Sequence, residues 1–421
     1  MDYNARMNYG ELAGKSVLLL GKTRSLQAAE FEKLLKLHGI GLAKTFTDGV
    51  ALVVEGRMMN PIEQNESERL YEEKAAPIVA VEGLEEWLCR SIEPNRLMMS
   101  LKLSRDQERL VDFLKNPYIT DELFYKLLKL YNWQNEGLFD NDRNRDVTAS
   151  VIGRFYVDLD RNHNVQYAMS GLAHLIEQYG TGELIEAIAE LSPIARELKT
   201  PYDASLRGVL DAMALHPETP EKIVRALMNE RAELLACREP LALETELLEL
   251  DNERVNALLA QNPSLSSQGA DRLEAGYPVQ IAAHAPLCAE RFERLVREYA
   301  AALGANPSLT VPMQERLSAL SNEAVFESLA SNPAATAAVL DKLYADSRYH
   351  QYLAANPSME KKRLEELSSS SNAEVLSALA ANPSTPIEVL YQLSLDRRFE
   401  RSVKTNTAFG KHIQTHNIGW H

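Results

Sequence analysis

From residue 187 onward, apolar positions fall into short helix-spaced clusters that close on the phrase Leu-Ala-x-Asn-Pro, clearest at Leu379-Ala380-Ala381-Asn382-Pro383. Versions end at Pro193, Pro217, Pro240, Pro263, Pro286, Pro307, Pro333, Pro357 and Pro383. A last one, Val403-Lys404-Thr405-Asn406, has Thr407 in place of the proline. Neighbouring copies lie 21 to 26 residues apart, and a period of that length marks units that each bury one face against the next. Within a unit, Thr385 is expected as an N-cap, Pro386 at N1 and Glu388 at N3 of a helix whose face is Val389, Leu390 and Leu393. Thr219-Pro220 repeats that start, with Ile223, Val224 and Leu227 behind it. A second short helix should end in the asparagine phrase, where the amide side chain satisfies backbone groups at the turn and the X-Pro step stops the helix.

The pattern over residues 10–95 is different. Ser16-Val17-Leu18-Leu19-Leu20, Val50-Ala51-Leu52-Val53-Val54 and Ile78-Val79-Ala80-Val81 are short continuous apolar runs that read as strands apolar on both faces. Helix-spaced stretches follow them: Leu26 to His38, a charged segment around Leu70 and Tyr71, and Leu84 to Cys89 with Trp87. Strands alternating with helices in this way indicate a parallel sheet covered on both sides.

Residues 96–186 read as a helical connecting region with polar loops. Leu110 to Pro117 and Ile119 to Tyr131 look helical, and Leu114-Lys115-Asn116-Pro117 is an early, isolated copy of the repeat phrase. Asp140-x-Asp142-x-Asn144-x-Asp146 and Asp158-x-Asp160-x-Asn162-x-Asn164 resemble the opening of a calcium loop. Position 6, which needs Gly, holds Arg145 and His163, and position 12, which needs Glu, holds Val151 and Met169. Solvated polar loops are therefore expected instead of metal sites. Residues 187–407 are the array and 408–421 a C-terminal tail.

Charge and composition narrow the function. With 45 Lys+Arg against 60 Asp+Glu the net charge is -15, which opposes non-specific attraction to nucleic acid or an anionic membrane. Cys89, Cys237 and Cys288 are odd in number and far apart, which fits reduced thiols packed as small core residues and neither a disulfide framework nor a zinc site. Met1 to Gly10 is polar and no run approaches 18 apolar residues, so a cytoplasmic location and no membrane partner are expected.

Gly14-Lys15, the glycines Gly39 and Gly41, Leu52-Val53-Val54, Pro77-Ile78-Val79 and Leu84-x-x-Trp87-Leu88 together resemble a BRCT domain over about 80 residues. The resemblance implies a four-stranded parallel sheet, with Gly14, Gly21, Gly39 and Trp87 as structural positions, and contacts with proteins of DNA repair and replication. Phosphate-reading members carry Ser or Thr before the glycine that ends strand one and a Lys near the start of the second helix. Here those positions hold Leu20 and Glu68, leaving Thr23 and Arg69 as the candidate phosphate or partner contacts. The repeats are similar to the leucine-rich repeat variant family, which implies paired short helices stacked in a right-handed α-solenoid. Asn262-Pro263, Asn306-Pro307, Asn332-Pro333, Asn356-Pro357 and Asn382-Pro383 match that signature, and Ser192-Pro193, His216-Pro217, Glu239-Pro240 and Ala285-Pro286 depart from it. Some members carry an iron–sulfur cluster on an N-terminal cysteine motif; the cysteines for it are missing here, so no cofactor is expected.

No nucleophile elbow, Walker loop, His-Glu-x-x-His helix or paired-cysteine motif occurs in the sequence. His412-x-x-x-His416, with His421 nearby, is expected as a solvated tail, and the acidic run Glu244 to Glu253 as an exposed helix face. The expected function is a non-enzymatic scaffold whose acidic array binds a protein partner carrying a basic segment. The alternative is a DNA repair or replication accessory factor, in which only the BRCT-like domain touches nucleic acid. The repeat pattern carries no signal for oligomeric state.

Overall fold

The computed structural model of the chain describes residues 8–157, 164–200 and 203–415. Contacts divide it into two compact units that meet in sequence at Leu227 and Met228. The first begins with four parallel strands, β1 (Ser16–Leu20), β2 (Gly41–Ala43), β3 (Val50–Glu55) and β4 (Ile78–Ala80), in the order β2-β1-β3-β4. Helix α1 (Ala28–Leu37) crosses from β1 to β2 and α2 (Pro61–Glu72) from β3 to β4, and α3 (Val81–Arg90) follows β4. Leu18, Leu20 and Val53 cluster with Leu70 of α2, while Val17, Leu52 and Val54, of opposite pleat, are equally buried. Helices α1 and α3 pack together. The strand runs and the covered parallel sheet thus stand as expected. β2, three half-exposed residues long, left no apolar run to read.

Glycine shapes the entry to this sheet. Gly21 ends β1 at φ +87°, and a Cβ there would meet the Arg57 carbonyl oxygen at 2.7 Å and Met59 at 2.8 Å, so backbone and side chain close on a position only glycine fills. Gly14 and Gly39 also lie at positive φ and are joined by the Gly14 N–H donating to the Gly39 carbonyl at 2.8 Å. Trp87 is half-buried, with the rings of His38 and Tyr9 at 4.4 and 5.9 Å.

The first unit continues through further helices, among them α4 (Pro94–Ser104), α5 (Gln107–Lys115), α6 (Asp121–Leu128), α7 (Asp142–Phe155), α8 (Met169–Tyr179) and α9 (Gly182–Ala189). Most begin on a polar cap. The side chains of Glu93, Asp106, Thr120, Asn141 and Thr181 each accept a first-turn N–H. The stretch Asp140 to Asp146 is therefore a capped helix start and not the expected polar loop. Buried Asn144 fastens it, accepting from the Tyr131 hydroxyl at 2.8 Å and donating to the Gly137 carbonyl at 2.9 Å. Of the second calcium-like stretch, Asp158, Asp160, Asn162 and His163 lie outside the described residues.

The second unit is almost wholly helical. Helices that end in the asparagine phrase, among them Glu323–Ser331, His350–Ala355, Ala373–Ala381 and Glu400–Thr405, each pack on the next of their kind. Helices of a second kind, such as Val311–Ser318, Ala337–Tyr344, Lys361–Leu367 and Ile387–Ser394, alternate with them. Val389, Leu390 and Leu393 are buried as the periodicity predicts.

Several sequence expectations are corrected. Thr385 does not cap a helix: its hydroxyl donates back to the Leu379 carbonyl at 2.7 Å, and Pro386 takes the N-cap position ahead of Ile387. Thr219 does the same with the Met213 carbonyl at 2.7 Å. Burial explains both, since a hydroxyl sealed among apolar side chains bonds to a carbonyl at the end of the preceding helix. Pro193 stands in the first turn of a helix, Ser192–Glu197, and does not end one. Cys89 is buried, but Cys237 and Cys288 are exposed. The tail segment carries a helix, Thr407–Thr415, that buries Phe409 against the ring of Tyr391 at 5.2 Å. His412 lies on it, and His416 and His421 fall outside the described residues.

Candidate functional site

The loop from β1 to α1 turns three backbone N–H groups toward one point, and the carboxylate of Glu85 fills that point. Arg24 and Ser25 donate to it at 3.1 Å and Leu26 at 3.0 Å. Glu85 is fully buried, on the stripe Val81, Leu84, Glu85, Leu88 and Cys89 of α3. Successive amides converging on a carboxylate form a strong, charge-assisted anion site, here occupied from within the chain. A carboxylate on the apolar stripe of a helix was the available signal, and the sequence reading passed over it.

The early copy of the repeat phrase docks on the same loop. The amide of Asn116, buried between α5 and α6, donates to the Ser25 carbonyl at 3.2 Å and to the Cys89 sulfur at 3.3 Å. Burial pushes the Cys89 thiol up to about 12; the Asn116 hydrogen bond opposes the shift and the Glu85 charge adds to it. Arg109 of α5 reaches α1 through Glu30 at 2.7 Å, and both side chains are largely buried. The α/β region is therefore tied to the helices after it by buried polar contacts, across the connection near residue 95.

The expected phosphate contacts lie elsewhere. Arg69, exposed on α2, grips Glu66 with Nε at 3.1 Å and Nη2 at 2.7 Å. Thr23 is half-buried in the loop after β1, and no hydrogen bond joins it to Arg69 among the described residues. Glu68 is exposed, Leu20 is buried, and beside them the Ser67 hydroxyl donates to Glu55 at 2.5 Å. Arg57 stands nearby, and its backbone pairs with that of Lys22.

In the second unit the asparagines form a ladder. Each buried side-chain amide donates to two carbonyls of the preceding unit: Asn332 to Gly304 and Asn306, Asn356 to Ala330 and Asn332, Asn382 to Ala354 and Asn356, Asn406 to Ala380 and Asn382, at 2.7 to 3.0 Å. Its oxygen accepts the N–H two residues on, as Ser358 donates to Asn356 and Ser384 to Asn382 at 2.8 Å. Asn306 reads Ala282 and Ala285, so Ala285 holds an asparagine position. Asn262 reads Ala236 and Arg238. The unit before it thus closes at Arg238, and Pro240 stands one residue late for the phrase. His216 substitutes differently, its Nδ1 accepting from the Glu218 N–H at 3.2 Å.

Two further buried polar residues link units. Gln314 donates to the Leu309 and Ala334 carbonyls and accepts from the Thr336 N–H. Arg291, almost fully buried, bonds to the Ser267 carbonyl at 2.9 Å and to Asp271 at 2.8 Å. No group of three or more His, Cys, Asp or Glu side chains suited to a metal ion occurs among the described residues. No described helix is long and apolar enough to cross a membrane. Set against family models, curated proteins and solved structures, the chain matches none of them.

Proposed function

We propose that this chain is a non-enzymatic scaffold, a BRCT-like docking domain coupled to an α-solenoid of the leucine-rich repeat variant type that binds a basic segment of a protein partner. The observation that carries the reading is the asparagine ladder. It commits the polar side chains of each turn to the unit before, stiffening the array, and leaves the outward helix faces free to present side chains to a partner. Glu315, Asp341 and Glu365 support the choice of a basic partner. Each lies nine residues beyond a ladder asparagine, on three consecutive helices of the second kind, and all three are exposed, Asp341 beside Arg363 at 3.5 Å. A row of like charge steers and aligns an oppositely charged segment.

The reading in which the α/β domain contacts DNA ends is disfavoured by two observations. Glu85 already occupies the amides of the β1–α1 loop, and Arg69 is engaged by Glu66. The test uses the full-length chain as bait in lysate with and without nuclease, beside the variant E315K/D341K/E365K. The scaffold reading expects a defined protein on the wild type and its loss from the variant. Retention that survives the charge reversal, or that vanishes with nuclease, contradicts it.

A further inference from the structure

Between Asn262 and Asn406 the ladder lacks a rung. Ala285 stands where an asparagine belongs: the Asn306 amide reads its carbonyl as it would an asparagine's, and Pro286 follows it. Asn332, Asn356, Asn382 and Asn406 each read the preceding ladder residue and the one two positions before it. By that register the carbonyls facing position 285 are those of Ala260 and Asn262, and among the described residues neither receives a side-chain amide. The helices that this rung would join, Glu253–Leu259 and Pro278–His284, also pack less closely than any later pair of their kind. What links them is an exposed contact, the Tyr277 hydroxyl donating to the Glu253 carbonyl at 3.0 Å. Ile281, Ala282 and Ala285 are buried, so the junction is closed in this structure. Its other side is tied firmly. From the helix Ala289–Leu295, almost fully buried Arg291 donates to the Ser267 carbonyl and to Asp271 of Ser267–Leu273, and Arg294 donates to Glu274 at 2.8 and 3.0 Å.

We propose that this junction is a hinge. The array opens transiently between Glu253–Leu259 and Pro278–His284 and pivots about the arginine-tied helices Ser267–Leu273 and Ala289–Leu295. The reason lies in what opening breaks. Parting two units elsewhere in the ladder strips a buried amide from its two carbonyls, at the full desolvation cost of those groups. At Ala285 there is no amide to strip, and local opening samples the least costly places first. On the other side, charge-assisted hydrogen bonds from a buried guanidinium resist parting, so the motion is a rotation about that side and not a separation. Each unit of an array touches only its neighbours, so one soft junction re-aims the units on either side of it and lets the array change curvature.

Hydrogen–deuterium exchange of the full-length chain, read by peptide mass spectrometry, tests the hinge. In the wild type, residues 253–262 and 278–285 should exchange about tenfold faster than 323–331 and 373–381, while 267–273 and 289–295 stay as protected as 361–367. A285N supplies the missing amide on a backbone that accepts it, because Ala285 has φ -71° against -76°, -75° and -72° at Asn332, Asn356 and Asn382. It should slow 253–262 and 278–285 about tenfold and leave 387–394 unchanged. N332A removes a rung from the stiff part and should speed 300–304 and 323–331 by a similar factor, which decides the matter if A285N loses its far-UV helical signal. Four results overturn the hinge: equal protection of the two sets in the wild type, a folded A285N that exchanges as the wild type does, an N332A whose flanking helices are unchanged, or faster exchange of 267–273 and 289–295 than of 253–262 and 278–285.

Discussion

Asn116 and Asn382 sit in the same Asn-Pro turn and do different things. In both, the side-chain oxygen accepts the N–H two residues on at 2.8 Å, so the local geometry follows from the phrase itself. They differ in what the amide nitrogen finds. Asn382 meets two carbonyls of a preceding unit built like its own, so the contact repeats to Asn406. Asn116 meets a loop carbonyl and a thiol of the α/β region, and there the pattern stops. A repeat phrase is thus a turn device, and it becomes an array only where the surface on its far side is another copy.

The largest expected effect breaks the α/β side of this comparison. Glu85→Ala leaves three N–H groups, that of Leu26 buried and those of Arg24 and Ser25 partly so, without their charged acceptor and should destabilise the first unit by about 3–5 kcal/mol. Urea unfolding followed by tryptophan fluorescence in a Trp420→Phe background reads it, because the other two tryptophans, Trp87 and Trp133, belong to that unit. Glu85→Gln, which keeps an acceptor but not the charge, should lose about half as much.

Next comes the array. Asn382→Ala strands the Ala354 carbonyl and the Ser384 N–H and leaves the Asn356 carbonyl with only the Met359 N–H, for an expected loss of about 2–4 kcal/mol, measured by urea unfolding followed by circular dichroism. Asn116→Ala should lose only about 1–2 kcal/mol, because one of its two acceptors is a sulfur, which binds hydrogen weakly. A loss at Asn116 equal to that at Asn382 would erase the distinction drawn between the two sites.

The smallest effect concerns reactivity. With its thiol held up to about 12, Cys89 stays protonated in the folded chain while an unfolded thiol ionises near 8.5. Its contribution to stability is therefore intact below pH of about 8.5 and is lost as pH climbs toward 12. Iodoacetamide at pH 8 should modify exposed Cys237 and Cys288 in the native protein and reach Cys89 only after denaturation, as read by peptide mass spectrometry.

Much of the architecture was legible because it rests on periodicity. The apolar runs at β1, β3 and β4, the buried face Val389, Leu390 and Leu393, and the asparagines at the turns of the later repeats follow from side-chain spacing alone. What escaped depends on partners distant in sequence. Thr385 has the composition of a cap, but its neighbour in space is the Leu379 carbonyl. Pro240 has the phrase's residue without its register, which shows only once Asn262 is seen to read Arg238. Glu85 is one of many carboxylates in the sequence, and its burial depends on a loop some sixty residues earlier.

The most direct test of the ladder is hydrogen–deuterium exchange of the full chain and its Asn356→Ala variant. If the buried asparagines bind each unit to the one before, peptides from residues 323 to 394 should lose protection on both sides of the substitution, while β1, β3 and α3 exchange as in the wild type. Exchange confined to the Asn356 turn, with the flanking helices unchanged, would contradict the account.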